Sequence, residues 1–537
     1  MPSGGPMLLR AASRWVPLAL ALSLVLSACV QDDIVRPHAS PSALSADLAA
    51  NADFFASPTG SPSGDGSFAN PWDLATALSG PAAVTSGSTI WLRGGTYADP
   101  VGGFSSTLTG TADAPIVVRQ YPGEHATVTN ALVVRGAYTW FWGLEIANPA
   151  QLEAHGVDVW GPGTKLIDLV VHDATESGLF IRPEASNTET YGSIIYNNGR
   201  TDNLDHGIYC QSATSMLLQD NIVFDNWAYG IHCYTQVEGY LQNIRLQGNV
   251  AFNNYVWGVP ADADLLVGGE VPATGIIVDQ NYTYRTNNMN TQTADVGYNT
   301  AVNNDVAFTN NYFAGGWLRV GSWGTATVSG NTLYNFTSGG MVWALGDLGG
   351  QAWSDNTFFG DSTAPVWRYK DGVATFAGWR TLTGFADPGT YAGSAPTGVK
   401  IVVRPNQYEP GRANIVVYNW AQPPQSTVSV DVSGVLHVGD RYVVQNSEDF
   451  YGPPIAGGTY TGGALQLPMV SITPPSPLGV VTTQPAPVTG PTFDVYVLMR
   501  TKPDDCTPDE RGSVESCTDW HDRSDPPSRG RAHRVRR

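Results

Sequence analysis

The chain has 537 residues, 42% of them hydrophobic and 10% aromatic, which is enough apolar material for packed cores and excludes a disordered polymer. Its formal charge is −19 although only 14% of residues are charged. A body this acidic argues against nucleic acid as a partner.

At the amino terminus, Arg10 and Arg14 stand ahead of the apolar run "WVPLALALSLVLSA", too short and too soon interrupted to cross a bilayer. Residues 1–29 read as an export signal, and their end, "LSAC", resembles the bacterial lipoprotein signal. That resemblance implies that Cys29 becomes the lipidated first residue of an exported protein, anchored to the bacterial envelope at the outer membrane or cell surface. Losing Arg10 and Arg14 and no acid takes the charge from −19 to −21. Residues 30–52, with "PHASPSALSADLAA" among them, have no apolar period and read as a flexible tether.

An internal repeat is the strongest signal in the chain. Gly followed by apolar, any, apolar recurs as "GVDVW" at 156, "GLFIR" at 178, "GIYCQ" at 207, "GIHCY" at 230 and "GVPAD" at 258. Interleaved with it is an asparagine ahead of a short strand-like run: Asn221, Asn249, Asn281, Asn311, Asn331 and Asn356. Short strands and turns at this spacing are what one coil of a β-solenoid requires, and a repeated Asn at a bend can bond its neighbours above and below. The segments "TIWLRGG", "PIVVRQYPG", "TWFWGLEI" and "TKLIDLVV" carry the spacing back to about residue 90.

The stretch "FFASPTGSPSGDGSFANPWDLATAL" at 54–78, followed by "GGTY" at 94–97, resembles the opening segment of right-handed parallel β-helix proteins of the pectate-lyase-like superfamily. The resemblance covers about residues 53–385 and implies that a strand and a short helix cap the solenoid. It implies no single reaction, because that superfamily holds lyases, glycoside hydrolases, epimerases and non-catalytic adhesins.

After a Pro/Gly-rich break at 386–398, longer alternating runs such as "NIVVYNW", "DRYVVQN" and "TFDVYVLMR" predict a small antiparallel β-sandwich over 396–500. It is expected to cap the open edge of the last coil, with sugar binding as the other reading. Residues 501–537, with 8 basic and 8 acidic side chains, read as a disordered tail in which Cys506 and Cys517 have one bridge open to them. The fold class is therefore all-β: a right-handed parallel β-helix followed by a small antiparallel sandwich, expected to be a monomer.

Side chains alternate along a strand, so aligning the glycine-led strands sorts their faces. Val157, Val159, Leu179, Ile181, Ile208, Cys210, Ile231 and Cys233 should point inward, with the two cysteines stacked as buried thiols or joined as a disulfide. Asp158, Trp160, Phe180, Arg182, Tyr209, Gln211, His232 and Tyr234 should point outward, with His155, Ser177, His206, Tyr229 and Trp257 just before the glycines. Longer segments around "GRTDNLDH", "TQVEGY" and "VPADADLLVGGEVPAT" would raise walls beside this column and make a groove.

Three functions fit such a groove. A lyase acting on a uronic-acid glycan needs a cation for the sugar carboxylate, here Arg182; a base for the C5 proton, His206 or His232; and an acid for the leaving oxygen, Tyr209 or Tyr234. Asp158, Asp202 and Asp205 are candidate Ca²⁺ ligands that would offset the acidic body. An inverting hydrolase would use two carboxylates among Asp158, Asp202 and Asp205 with His206 as tuning partner, although "DNLDHG" lacks the paired-Asp and Gly-His-Gly motifs of polygalacturonase-like solenoids. The Asp-Pro-His-Asp of the epimerases is absent too. A non-catalytic binder would stack sugars on Trp160, Tyr229, Tyr234 and Trp257, with Gln211 as a polar contact. Each residue also has a purely structural reading: Asp202 and Asp205 as turn formers, His206 as a cross-turn bond, Arg182 before Pro183 as a solvated strand end. Their coincidence on one face favours a site, and the lyase is the reading preferred here.

Overall fold

The computed structural model describes residues 33–34, 53–99, 102–200, 204–211, 215–237, 239–255, 263–286, 292–298, 302–336, 340–360, 367–479 and 486–501. Cys29, Asp202, Trp257, Cys506 and Cys517 lie outside them.

Three long sheets of short parallel strands run side by side, each strand pairing with its equivalent one coil earlier and one coil later. The first sheet runs from Asp53–Ala56 to Gln351–Ser354, the second from Phe104–Ser106 to Trp367–Tyr369, and the third from Gly95–Tyr97 to Gly389–Ala392. Each coil contributes one strand to each sheet, so the chain is a parallel β-helix. Its core is the column of inward residues: Val157, Val159, Leu179, Ile181, Ile208, Cys210, Ile231 and Cys233 are all fully buried. Cys210 and Cys233, opposite one another on adjacent strands, form a disulfide with Cα atoms 4.6 Å apart.

The repeat motif has a physical cause. From Asn221 to Asn356 each asparagine donates its amide to the carbonyl oxygen of the next, at 2.9, 3.0, 3.1, 2.9 and 2.9 Å. The residue before each one, among them Asp220 and Gln280, turns the corner with positive φ. A second ladder, absent from the sequence reading, links Asn198, Asn226 and Asn254 at 2.9 Å each. This ladder explains the glycines: a Cβ on Gly178 would lie 2.6 Å from the Asn198 amide nitrogen, and one on Gly207 2.7 Å from that of Asn226.

The structure corrects the sequence reading beyond residue 234. The strand that follows Ile231–Cys233 in the second sheet is Leu265–Val267, within the segment expected to form a wall, while Gly258 of "GVPAD" lies outside the described residues. The glycine position there is held by Asp264, whose carboxylate ends the second ladder by accepting from Asn254 at 3.2 Å and pairs with the buried Arg285 at 2.8 Å.

The solenoid also ends later, at residue 392, and what caps it differs from expectation. Its first coil is covered, as the resemblance implied, by the helix Leu74–Leu78, N-capped by Asp73. Its last coils are closed by the antiparallel strand Gly372–Ala374 and the helix Phe376–Thr383, where Trp353, Trp367, Trp379 and Phe385 pack together. The C-terminal strands Val399–Pro405, Arg412–Asn419, Phe493–Thr501, Arg441–Asn446 and Ala456–Thr459 form an antiparallel sheet that instead lies along the flank of the solenoid. Val402, Val416, Tyr418, Trp420 and Phe493 join one apolar cluster with Tyr196, Phe224, Phe252, Tyr284 and Tyr312 of the third sheet. A buried Arg404–Asp220 ion pair and bonds from Tyr408 and Gln407 to Glu189, at 2.7 and 2.8 Å, fix the register of this docking.

Candidate active site

The second sheet faces away from the docked C-terminal strands. Asp158, Phe180, Tyr209 and His232 stand in register on four successive strands of it, as the alternation of the glycine-led motif predicts. Two residues further along each coil come Trp160, Arg182, Gln211 and Tyr234.

The Arg182 guanidinium is gripped by Asp158, with Nε–Oδ1 at 2.8 Å and Nη2–Oδ2 at 3.2 Å, and the Trp160 indole donates to the same carboxylate at 3.0 Å. The cation lies 3.8 Å over the Phe180 ring and 4.7 Å over Trp160. Phe180 stacks on Tyr209, and Tyr209 on His232, with centroids 4.9 and 5.2 Å apart. Tyr229 and Tyr234 flank His232 at 4.5 and 5.3 Å. Gln211 donates to the Tyr209 hydroxyl, which keeps the phenol's own proton for another acceptor. Burial raises the Tyr209 pKa against the pull of Gln211 and Arg182, so the phenol is protonated at neutral pH.

His206 departs from the outer face: it is fully buried behind the column, and its Nε2 lies 2.6 Å from His232 Nδ1. Tyr209 and Tyr229 meet its ring edge-on and cover it. Burial, with His232 and His155 beside it, holds His206 well below the usual imidazole range. Burial also lowers His232 to about 3. Both rings are therefore neutral at pH 7. His232 is the one that reaches the surface, 8% exposed, with Nε2 not used in the contact between them.

The aspartates are engaged elsewhere. Both Asp158 oxygens are taken by Arg182 and Trp160. Asp205 is buried and accepts from the Arg200 amide at 3.0 Å, the turn-forming role open to it from its sequence context. Among the described residues no group of three or more His, Cys, Asp or Glu side chains is arranged to hold a metal ion. Asp202, the third carboxylate of the calcium reading, lies outside the described residues.

One pair beside the column went unassigned in the sequence. His155 Nε2 lies 3.0 Å from Glu176, and burial together with the Arg182 charge lowers the histidine to about 4 despite Asp158 nearby. Burial, then Asp205 and Glu153, raises the Glu176 pKa. The only signal for this pair was the placement of His155 just before Gly156.

Comparison with known proteins agrees with this architecture. Residues 54–312 match the family model for the Pel9A-like, right handed beta helix region. The solenoid is thus a right-handed parallel β-helix. Pectate lyase PEL9 of Emericella nidulans is 42% identical over 77 residues, 14% of this chain and 18% of that protein. The chain therefore matches less than a fifth of the length of that relative. Among solved structures, pectate lyase Pel9A shares 20% identity with a TM-score of 0.42, covering 60% of this chain and 78% of that one. A rhamnogalacturonan lyase shares 14% identity with a TM-score of 0.38, over 56% and 83% of the two chains. The alginate lyase from Paenibacillus sp. str. FPU-7 shares 18% identity with a TM-score of 0.36, over 64% and 99%.

Proposed function

We propose that this protein is a polysaccharide lyase that cleaves a uronic-acid-containing glycan by β-elimination on the outer face of the second sheet. The observation that carries the reading is the placement of Arg182, Tyr209 and His232 on three consecutive coils, joined by the Phe180–Tyr209–His232 stack. The match to the Pel9A-like family model and the pectate lyase name of the Emericella relative support it.

Each group has one task. Arg182 faces the sugar carboxylate and draws charge from the carbon that must lose its proton. His232 Nε2 takes the C5 proton, in the tautomer whose Nδ1–H donates to His206 Nε2. The electron pair left at C5 forms the C4–C5 double bond, the C4–O bond breaks, and the Tyr209 hydroxyl gives its proton to the departing oxygen. His206 acts through His232 by holding its ring and tautomer, and is a positioning residue. Trp160, Tyr229 and Tyr234 offer sugar-stacking faces, and Gln211 orients the phenol.

Export and lipid anchoring through Cys29 are part of the same proposal. They are supported by the "LSAC" signal, by the tether after it and by a disulfide of the kind that persists in oxidising compartments.

The test incubates the signal-free chain with polygalacturonate, alginate and neutral glycans, with and without Ca²⁺, reading unsaturated-uronate absorbance and reducing ends together. Both signals should rise, and His232→Ala should lower the rate by about 10²–10⁴-fold. Reducing ends without absorbance would replace elimination by hydrolysis. Silence on every glycan would leave a binding surface.

A further inference from the structure

The outward row does not stop at His232. In register beyond it stand Leu266, Asp295, Arg319, Trp343 and Arg368. Tyr298 bridges the gap, edge-on to Tyr234 with centroids 5.3 Å apart and 5.8 Å under the Arg319 guanidinium. Trp343 then lies between two cations, Arg319 at 5.9 Å and Arg368 at 5.3 Å from its ring. Aromatic and guanidinium groups thus follow one another without a break from Trp160 to Arg368.

The second cluster repeats the design of the first. Arg319 Nη1 donates to Asp295 at 2.8 Å, and the acid is hidden beneath its partner, with the two side chains 2% and 20% exposed. Asp158 and Arg182 likewise show 15% and 26%. Each pair therefore turns its cation outward. Arg368 goes further: it is exposed and makes no ion pair among the described residues. A row of guanidinium groups over aromatic rings is chemistry for sugar rings that carry carboxylates, with Arg368 adding a positive charge that no described carboxylate offsets.

We infer that Arg319, Trp343 and Arg368 form a second, distal subsite for a uronate residue of the same glycan, so that the protein engages a long polyuronate and not a short fragment. This rests on the lyase reading for its substrate class and on the register for its geometry. From Phe180 to Arg319 is five strand steps, about 24 Å at the spacing of neighbouring strands. A di- or trisaccharide bound at Arg182 ends well short of that.

The experiment uses the signal-free chain and the variants Arg368→Ala, Trp343→Ala and Arg319→Ala with polygalacturonate, alginate and their trisaccharides. Binding is followed by titration calorimetry and turnover by unsaturated product. Arg368→Ala and Trp343→Ala should weaken binding of the long polymer and raise its KM at least 10-fold, with kcat and trisaccharide binding unchanged. Arg368→Ala should also flatten the salt dependence of polymer binding. Arg319→Ala exposes Asp295 to the same readout, and Arg368→Ala and Trp343→Ala carry the test if that variant fails to fold. Wild-type polymer affinity and KM in Arg368→Ala and Trp343→Ala, with product still formed, would overturn the subsite and leave the lyase reading standing. Variant-sensitive polymer binding with no unsaturated product from the wild type would do the reverse.

Discussion

His206 Nε2 and His232 Nδ1 meet at 2.6 Å, so one ring must donate and the other accept, and neither carries a charge at neutral pH. A histidine held neutral by burial is a liability in acid. The folded pKa of His232, about 3, lies below the unfolded value of about 6.5, so the unfolded chain binds the proton first and stability is lost as pH falls from 6.5 toward 3. Other buried groups titrate in this range, so the comparison is with His232→Gln. The wild type should lose stability relative to that variant by up to about 1.4 kcal/mol per pH unit below 6.5, seen as converging melting temperatures. Parallel melting curves from pH 8 to pH 4 would contradict the buried neutral pair.

His172 behaves in the opposite sense. It bridges Asp173 at 2.6 Å and Glu145 at 2.9 Å on the third sheet and stacks on Tyr196. Burial alone would lower its pKa, but the two carboxylates outweigh burial and raise it to about 9. The folded value lies above the unfolded one, so the stabilisation is complete below about pH 6.5 and is lost as pH rises through 9. His172→Gln should abolish that alkaline slope, worth up to about 3 kcal/mol from the size of the shift. Chemical denaturation at pH 6 and pH 10 measures it.

The Cys210–Cys233 bridge is buried between adjacent coils, with both residues fully enclosed. A thiol reagent should label neither cysteine in the folded protein, and both after denaturation with reductant. Replacing both by Ala should cost about 2–4 kcal/mol, the usual worth of a bridge closing a loop of this size. Labelling of both cysteines on denaturation without reductant would show that no bridge forms.

The asparagine ladder makes a sharper prediction. Asn281→Ala removes a side chain that gives its amide to Asn311 and accepts from both the backbone N–H and the side-chain amide of Asn249, so that two buried donors of Asn249 lose that acceptor. The expected loss is at least about 2 kcal/mol, several degrees of melting temperature. Gly178→Ala should be as damaging, for its new methyl would meet the Asn198 amide at 2.6 Å.

How far the sequence discloses this molecule follows from where its constraints lie. The solenoid is legible because the Asn221–Asn356 ladder demands one residue type at every bend, and the glycines are legible because the Asn198–Asn254 ladder leaves no room for a Cβ beside it. Once Asp264 ends that second ladder the demand disappears, and the same position is taken by Trp317 and Met341. The motif fades at that point, which is why the strands bearing Arg319, Trp343 and Arg368 escape an alignment built on glycine. The burial of His206 is illegible for a related reason: alternation assigns faces within a strand, and His206 lies just outside Ile208–Cys210, covered by Tyr209, Tyr229 and His232. The flank docking of the C-terminal sheet has a trace in the sequence: Ile194–Tyr196, Ile222–Phe224 and Val250–Phe252 are apolar or aromatic throughout and buried at all three positions, the mark of a sheet covered on both faces.

A solenoid on its own is a stack in which each coil is held only by its neighbours, so it frays from the ends and opens one rung at a time. The C-terminal sheet changes that, because its single apolar cluster grips six consecutive rungs, from Val170 to Ala314. Like a splint along a column, it ties the rungs that carry Arg182, Tyr209 and His232 into one cooperative block. Pulling or heating the chain should therefore release that block in a single event, while the rungs on either side peel away separately.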